Sequence, residues 1–419
     1  VGWGNEPWSQ EEMELNEALV EEAAEKNEYA IVILARTAGE DKDNKMLEGA
    51  YCLTSIEEDM LQKVRKSFAK MIVLLNTGNI MDMSFMDQYR PDAVMYVWQG
   101  GMIGGLGTVD VLTGKVCPSG RLSDTIAAQM SDYPANPYFG GLEQNLYVED
   151  IYVGYRYFES VAKSKVLYPF GFGLSYTTFS MEADRFSYAE NQVSFVMKVT
   201  NTGSVAGKEV VQVYAKAPLG KLGKPARVLI DFKKTKELKP GESEELAFAI
   251  PTSVFASYNE VSTAEMPTGW VLEAGEYTIY AGGNVRDAYA VGSFTLDELQ
   301  IVEECRNALA PTTPFKRMKM TAANEHAEAA GVYEIAMEEV PLRVVSPEEK
   351  RNAELPESYE MTGDRGIKLA DVKAGKATLD EFVAQLSEEE LASIVRGEGM
   401  GSPKVTAGTA AAFGGVTKS

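Results

Sequence analysis

Glu40 stands directly after a glycine, in the run Ala35-Arg36-Thr37-Ala38-Gly39-Glu40-Asp41-Lys42-Asp43-Asn44. A side chain that leaves a strand on a glycine turn can be thrown out of the strand axis, because glycine adopts backbone conformations closed to other residues. A carboxylate so presented is available to a ligand, while Asp41 and Asp43 read as solvated loop charges rather than as contributors to its field. The stretch follows the apolar run Ala30-Ile31-Val32-Ile33-Leu34, which has the length and β-branching of a buried strand. It therefore lies at the carboxyl end of a strand, where open α/β sheets hold their ligand loops. Charged loops after strands are common, and periodicity alone favours a merely solvated loop here. Other chemistries are excluded more firmly. His326 is the single histidine, which rules out a histidine-rich metal site and argues against a Ser-His-Asp site within the chain. Cys52, Cys117 and Cys305 are odd in number, widely spaced and in no metal-binding pattern.

The elements that position Glu40 alternate between helix and strand. Ser9-Gln10-Glu11-Glu12 and Ser55-Ile56-Glu57-Glu58 have capping-box spacing and predict helix starts. Leu15, Ala18, Leu19 and Ala23 continue the first at helical spacing. Met71 to Leu75 and Ala93 to Val97 read as two further buried strands, and a helix is expected from the glycines at 100–105 to Leu112. Strands alternating with helices imply a parallel sheet covered on both faces. After Phe179 the pattern changes to short β-rich runs with turn signals at Asn201-Thr202-Gly203, Pro240-Gly241 and Ala274-Gly275. Such strands over about a hundred residues predict an immunoglobulin-like sandwich. A polar segment from 299 to 374 shows two helix-like patches and no core of its own. Leu379, Phe382, Val383, Leu386, Leu391, Ile394 and Val395 then form one amphipathic helical stretch.

The net charge of −22 and a pI near 4.6 argue against nucleic acid or an anionic membrane as partner, since phosphates would be repelled. A neutral ligand is compatible with this surface. No apolar run is long enough to span a bilayer. The cysteine usage fits a reducing compartment. Val1 is not a natural first residue, so the chain is expected to lack its own beginning, and the absence of a visible signal peptide carries little weight.

Four collinear segments, at 39–54, 99–122, 168–177 and 231–243, resemble glycoside hydrolase family 3. Gly39-Glu40, Asp43 and Tyr51-Cys52-Leu53-Thr54 before a capped helix resemble the family's acid/base loop. Gly114-Lys115-Val116-Cys117-Pro118-Ser119-Gly120-Arg121-Leu122, preceded by Gln99-Gly100-Gly101 and Gly104-Gly105, resembles its Gly-x-x-x-Pro-Ser-Gly-Arg-Leu signature. Tyr168-Pro169-Phe170-Gly171-Phe172-Gly173-Leu174-Ser175-Tyr176-Thr177 resembles the exit from its α/β sandwich domain. Asp231-Phe232-Lys233 and Leu238 to Ser243 resemble its fibronectin type III-like domain. The Pro-Ser-Gly-Arg and Tyr168 to Tyr176 segments read as architectural, with Arg121 an ion-pair partner rather than a substrate clamp. Trp3, Trp8 and Trp98 are better placed as packing residues than as sugar platforms.

The resemblance implies an α/β sandwich domain over 1–178, a fibronectin type III-like domain over 179–298, a connector over 299–374 and the start of a (β/α) barrel over 375–419. Leu386-Ser387-Glu388-Glu389-Glu390-Leu391, with Arg396 to Met400 and Phe413 to Val416, carries the barrel part. This is the swapped domain order of some bacterial members, in a chain expected to be one piece of a longer polypeptide. The implied activity is that of a retaining exo-β-glycosidase, a β-glucosidase first. Glu40 is its acid/base, and the nucleophilic Asp lies on the barrel outside the chain, so this piece alone is expected to be inactive. Arg36, Asp43 and Tyr51 are the candidate substrate neighbours, and no metal ligand, metal or organic cofactor is implied. The implied partners are an oligosaccharide or an aryl or alkyl glycoside and the rest of the barrel, with no nucleic acid and no membrane; a homo-oligomer stays open. A bacterial cytoplasmic setting is preferred over secretion. The alternatives are a β-xylosidase or α-L-arabinosidase of the same family, and a non-catalytic carbohydrate-binding or surface protein.

Overall fold

Strands β1 (Tyr29–Ala35), β2 (Lys70–Asn76) and β3 (Ala93–Tyr96) lie parallel, in that order, with Val32 opposite Val73 and Val73 opposite Val94. The structure is a computed structural model that describes residues 7–37, 43–322, 332–355 and 360–396. The chain divides into two compact units, residues 1–344 and 345–419.

In the first unit, helices α1 (Glu17–Lys26) and α2 (Ser55–Ser67) cover one face of the parallel sheet. Val20, Leu61, Val64 and Phe68 pack there against Val32, Leu34, Met71, Val73 and Leu75. Tyr29, Ile31 and Ile33 point the other way from β1 and are more than half exposed, so the expected cover on both faces is not found at β1 among the described residues. The capping expectations also shift. Ser9 caps no helix: α1 begins at Glu17, where Asn16 Oδ1 accepts from the Ala18 N–H at 2.8 Å. Ser9 is instead packed beside Gly49, and Trp8 O accepts the Thr37 N–H at 2.6 Å, which straps this segment to the end of β1. The second box moves by one residue to Thr54 and Glu57, with both reciprocal hydrogen bonds made.

After α3 (Phe85–Tyr89) and α4 (Gly104–Leu112) come the short antiparallel pair β4 (Ile126–Ala127) and β5 (Val166–Tyr168), with α5 (Tyr155–Val161) between them. Then two sheets face each other. One is β10 (Ser243–Pro251), β7 (Gln192–Asn201) and β6 (Phe179–Ala189). The other is β14 (Tyr289–Leu296), β13 (Gly275–Gly282), β8 (Val210–Lys216) and β9 (Val228–Lys234). Alternate residues of β7, namely Val193, Phe195, Met197 and Val199, meet Leu246, Phe248 and Ile250 of β10 and Val211, Val213 and Ile279 of the facing sheet. Each large side chain so buried contributes about 1.5–3 kcal/mol of transfer free energy, which makes this sandwich core the main stabiliser of its domain.

The polar stretch after 299 contains strands that the sequence does not advertise. β15 (Gln300–Glu304) joins β12 (Gly269–Leu272) and β11 (Ser257–Asn259) in a small antiparallel sheet. β16 (Lys316–Thr321) and β17 (Glu334–Glu339) form an antiparallel pair. Met320 is buried there with Tyr152 and Leu219, and the Met320 N–H donates to the Tyr152 hydroxyl at 2.9 Å. β15 is missed because its residues are mostly exposed and its two apolar residues, Ile301 and Val302, are adjacent, so it lacks an apolar alternation.

The second unit holds the short helices Pro347–Ala353 and Leu369–Lys373, then Leu379–Ala384 and Glu388–Arg396. The single amphipathic helix expected from Leu379 is interrupted. Ser387 Oγ accepts the Glu390 N–H at 3.2 Å and starts a new helix. Gln385 turns back to accept the Arg365 and Ile367 N–H groups at 3.1 and 2.9 Å.

Candidate active site

Residues 38–42, and Glu40 with them, lie outside the described residues, as do His326 and Trp3. Both flanks of that segment are described. On the near side Arg36 is buried at the end of β1. Its Nη1 and Nη2 bind Glu57 Oε1 and Oε2 at 2.6 and 2.9 Å, Nε donates to Ala50 O at 2.9 Å, and the remaining donors reach Ala35 O at 2.8 Å and Cys52 O at 3.2 Å. A guanidinium has five N–H donors, and all five are engaged. Arg36 therefore offers a ligand nothing and acts as a positioning residue. Glu57 is held in turn by the Thr54 N–H at 2.8 Å, which explains why the capping box sits at Thr54.

On the far side Asp43 is exposed, and the Asn44 amide donates to Ile80 O at 2.7 Å. The loop after β2 is fastened by three further contacts. Asp82 N–H donates to Tyr51 O at 2.9 Å, Met81 N–H donates to the Tyr96 hydroxyl at 3.1 Å, and the Thr77 hydroxyl bridges to Asn79. Tyr51 is buried, and desolvation pushes its phenol well above the ordinary tyrosine range, with Tyr133 and Asp82 adding to the shift. It remains a neutral hydroxyl within the core. Tyr133 is likewise raised, to about 12, mainly by burial. Trp98 follows β3 in a left-handed backbone conformation with its ring 4.8 Å from that of Tyr96, a packing role. The carboxyl ends of β1, β2 and β3 thus share one hydrogen-bonded platform, to which Thr37 and Asn44, on either side of 38–42, are each fastened. Of the candidate neighbours, Arg36 and Tyr51 face inward and Asp43 outward. The structure does not gather them round a common point.

The two glycine-rich signatures form one joint. Leu122 N–H donates to Phe172 O and Gly171 N–H to Leu122 O, each at 2.8 Å. A Cβ on Gly173 would lie 2.3 Å from Gly120 O, and one on Gly171 would lie 2.0 Å from Gln212 Oε1 of β8. Arg121 pairs with Glu209 at the edge of the β sandwich. These segments lock the α/β region to the sandwich. Among the described residues, no cluster of His, Cys, Asp and Glu is arranged to hold a metal ion. Among the described residues, no helix is long and apolar enough to cross a membrane either.

The family model of the glycosyl hydrolase family 3 C-terminal domain matches residues 10–176, and that of the fibronectin type III-like domain matches 209–285. The chain belongs to glycosyl hydrolase family 3. Its relatives include a β-glucosidase of Ruminococcus albus, 52% identical over all of this chain and 43% of that protein. Beta-glucosidase A of Butyrivibrio fibrisolvens is 36% identical over 94% of this chain and 54% of that protein. Among solved structures, a β-glucosidase from Paenibacillus barengoltzii superposes with a TM-score of 0.92 at 50% identity, covering 100% of this chain and 46% of that one. β-Glucosidase 3B of Thermotoga neapolitana, in complex with α-D-glucose, matches 68% of this chain and 40% of that one, with a TM-score of 0.62 at 38% identity. The chain spans about half the length of these relatives. The α/β sandwich domain and the all-β fibronectin type III-like domain agree with the fold class read from the sequence.

The sequence reading missed Glu57 as the counter-charge of Arg36, although Thr54-x-x-Glu57 has capping-box spacing and was legible beside the frame chosen at Ser55.

Proposed function

We propose that this chain is the acid/base-bearing part of a retaining β-glucosidase that removes terminal non-reducing β-D-glucosyl residues. The observation that carries the proposal is the anchorage of the residues on both flanks of 38–42. Arg36 and Thr37 fix one side and Asn44 the other, at the carboxyl end of the parallel sheet in a family 3 fold. The names of the relatives support the glucosidase reading.

In this mechanism Glu40 begins protonated. It gives its proton to the glycosidic oxygen as the C1–O bond breaks, while a carboxylate outside residues 1–419 attacks C1 and forms a glycosyl ester. The leaving sugar or alcohol departs with the proton. Glu40, now a carboxylate, takes a proton from water as the water oxygen bonds to C1 and the ester bond breaks. Two carboxyl groups about 5–5.5 Å apart are needed for such a double displacement. The second belongs to the barrel, whose start we place at 375–419, after domains at 1–178 and 179–298 and a connector at 299–374. Three free cysteines support a reducing, cytoplasmic setting.

The test joins this chain to its barrel in one polypeptide and assays p-nitrophenyl glycosides. Hydrolysis of the β-glucoside, with the anomeric configuration retained, supports the proposal. Preference for the β-xyloside or α-L-arabinoside moves the substrate assignment, and inertness towards all of them favours a binding protein.

A further inference from the structure

The polar stretch expected to have no core of its own is held down in its first half by the β16–β17 pair. Met318 and Met320 alternate along β16 with Arg317 and Lys319, so one face of the strand is apolar and the other charged. On the apolar face Met320 is buried with Tyr152 and Leu219, and Met318 and Ile335 pack against them. Two backbone donors of β16 are spent outside the pair: the Met318 N–H on Val148 O at 2.7 Å and the Met320 N–H on the Tyr152 hydroxyl at 2.9 Å. The sandwich comes equally close. Gly223, between β8 and β9, has a φ of +74°, and a Cβ on it would lie 2.9 Å from Met320 O and 3.0 Å from the Tyr152 hydroxyl.

The charged face carries the lock. Arg317 Nε donates to Glu338 Oε1 of β17 at 3.0 Å, Nη2 pairs with Glu260, just after β11, and Nη1 lies 3.6 Å from Asp150 Oδ1. Lys319 takes the other oxygen of Glu338 at 3.0 Å. The Arg317 side chain is only 15% exposed, so these attractions act with little solvent screening. One guanidinium thus ties β16 to β17, to the segment before α5 and to the turn after β11. α5 follows that segment, and its buried Phe158 meets the Tyr133 ring edge-on at 5.3 Å. Tyr133 in turn neighbours Tyr51, whose carbonyl fastens the loop after β2 beside Asn44.

β17 ends at Glu339, and the second unit, in which we place the start of the barrel, begins at Val345. The chain that leads towards the barrel therefore departs from a point fixed to the α/β region. We propose that the β16–β17 pair, locked by Arg317, sets the barrel's nucleophile against Glu40, with Arg317 as a positioning residue. The proposal rests on the β-glucosidase reading, in which carboxyls about 5–5.5 Å apart come from parts of one polypeptide linked along the chain by this connector. A misplacement of about 1 Å can cost about 10²-fold in rate, so such a site needs a connector without slack.

The test compares Arg317→Met and Arg317→Lys with the native sequence in the polypeptide that joins this chain to its barrel. Hydrogen exchange at the Met318 and Met320 amides reads the docking directly, since both donate out of the pair. Steady-state kinetics on cellobiose and on 2,4-dinitrophenyl β-glucoside read its consequence. For Arg317→Met the account expects faster exchange at both amides and a kcat for cellobiose lower by about tenfold or more, with KM within about twofold. The loss on the dinitrophenyl glucoside, which needs no proton from Glu40, should be several times smaller, and Arg317→Lys should recover part of the cellobiose rate. Glu260→Gln removes one partner only, and it takes the place of Arg317→Met if melting shows that variant unfolded at the assay temperature. Native kinetics in a variant whose two amides exchange faster, or equal losses on both substrates, overturns the proposal. A native polypeptide inert towards both substrates would instead reject the enzyme reading, and this role with it.

Discussion

Arg36 grips both carboxylate oxygens of Glu57, at 2.6 and 2.9 Å, with the two side chains only 3% and 1% exposed. This pair ties the end of β1, from which the Glu40 segment departs, to the first turn of α2. Removing one partner leaves a buried charge without its counter-charge, at a cost of about 3–5 kcal/mol. Glu57→Gln should therefore lower the unfolding free energy by that order in urea titration. Replacing both, as Arg36→Met with Glu57→Leu, should cost less than the sum of the single changes. Additive losses would show that the pair does not act as a unit.

Gly171 is required twice over. Its φ of +80° is in the left-handed region, and an added Cβ would press on Gln212. Gln212 has no freedom to retreat, since it donates to Gly171 O at 3.1 Å and Gly283 O at 2.5 Å and accepts the Tyr214 hydroxyl at 2.6 Å. Gly171→Ala should destabilise by about 1–3 kcal/mol through overpacking, with backbone strain adding to it. Differential scanning calorimetry should show a lower melting temperature, and an unchanged one would contradict the joint described here.

Asp92 gives the fold a specific acid sensitivity. It accepts the Met71 N–H and pairs with Lys70 and Arg65, each at 3.0 Å, and these contacts, the backbone one foremost, hold its carboxyl well below the usual range. A carboxyl with a depressed folded-state pKa contributes stability that is complete above its unfolded value, about 3.9, and is lost as pH falls through the folded value. The difference in melting temperature between the native chain and Asp92→Asn should therefore be largest near neutrality and shrink below about pH 4. A gap that holds constant down to pH 2 would contradict this.

The strands of the parallel sheet and of the sandwich were legible because runs such as Ala30 to Leu34 and Val193 to Val199 bury their apolar side chains in a strand's own period. Cap positions were less so. Thr54 and Ser55 both satisfy the capping spacing, and the hold of Arg36 on Glu57 decides for Thr54, while Ser9 has the spacing and caps no helix. The small sheet at Gln300–Glu304 was hidden because backbone pairing, not apolar side chains, holds it. A cavity lined by Ile80, Asp124, Tyr133 and Phe170 was illegible for another reason. Its wall is assembled from segments distant in sequence, and no local spacing records that they meet.

The central claim is that Glu40 is the proton donor, and the direct measurement is the kinetics of Glu40→Gln in the polypeptide that joins this chain to its barrel. Positioned general acids contribute about 10²–10⁴-fold. The account predicts a loss of that order in kcat/KM for cellobiose. It predicts a much smaller loss for 2,4-dinitrophenyl β-glucoside, whose leaving group needs no proton, and restoration of turnover by azide with β-glucosyl azide as product. A Gln variant that hydrolyses cellobiose at the native rate would contradict it.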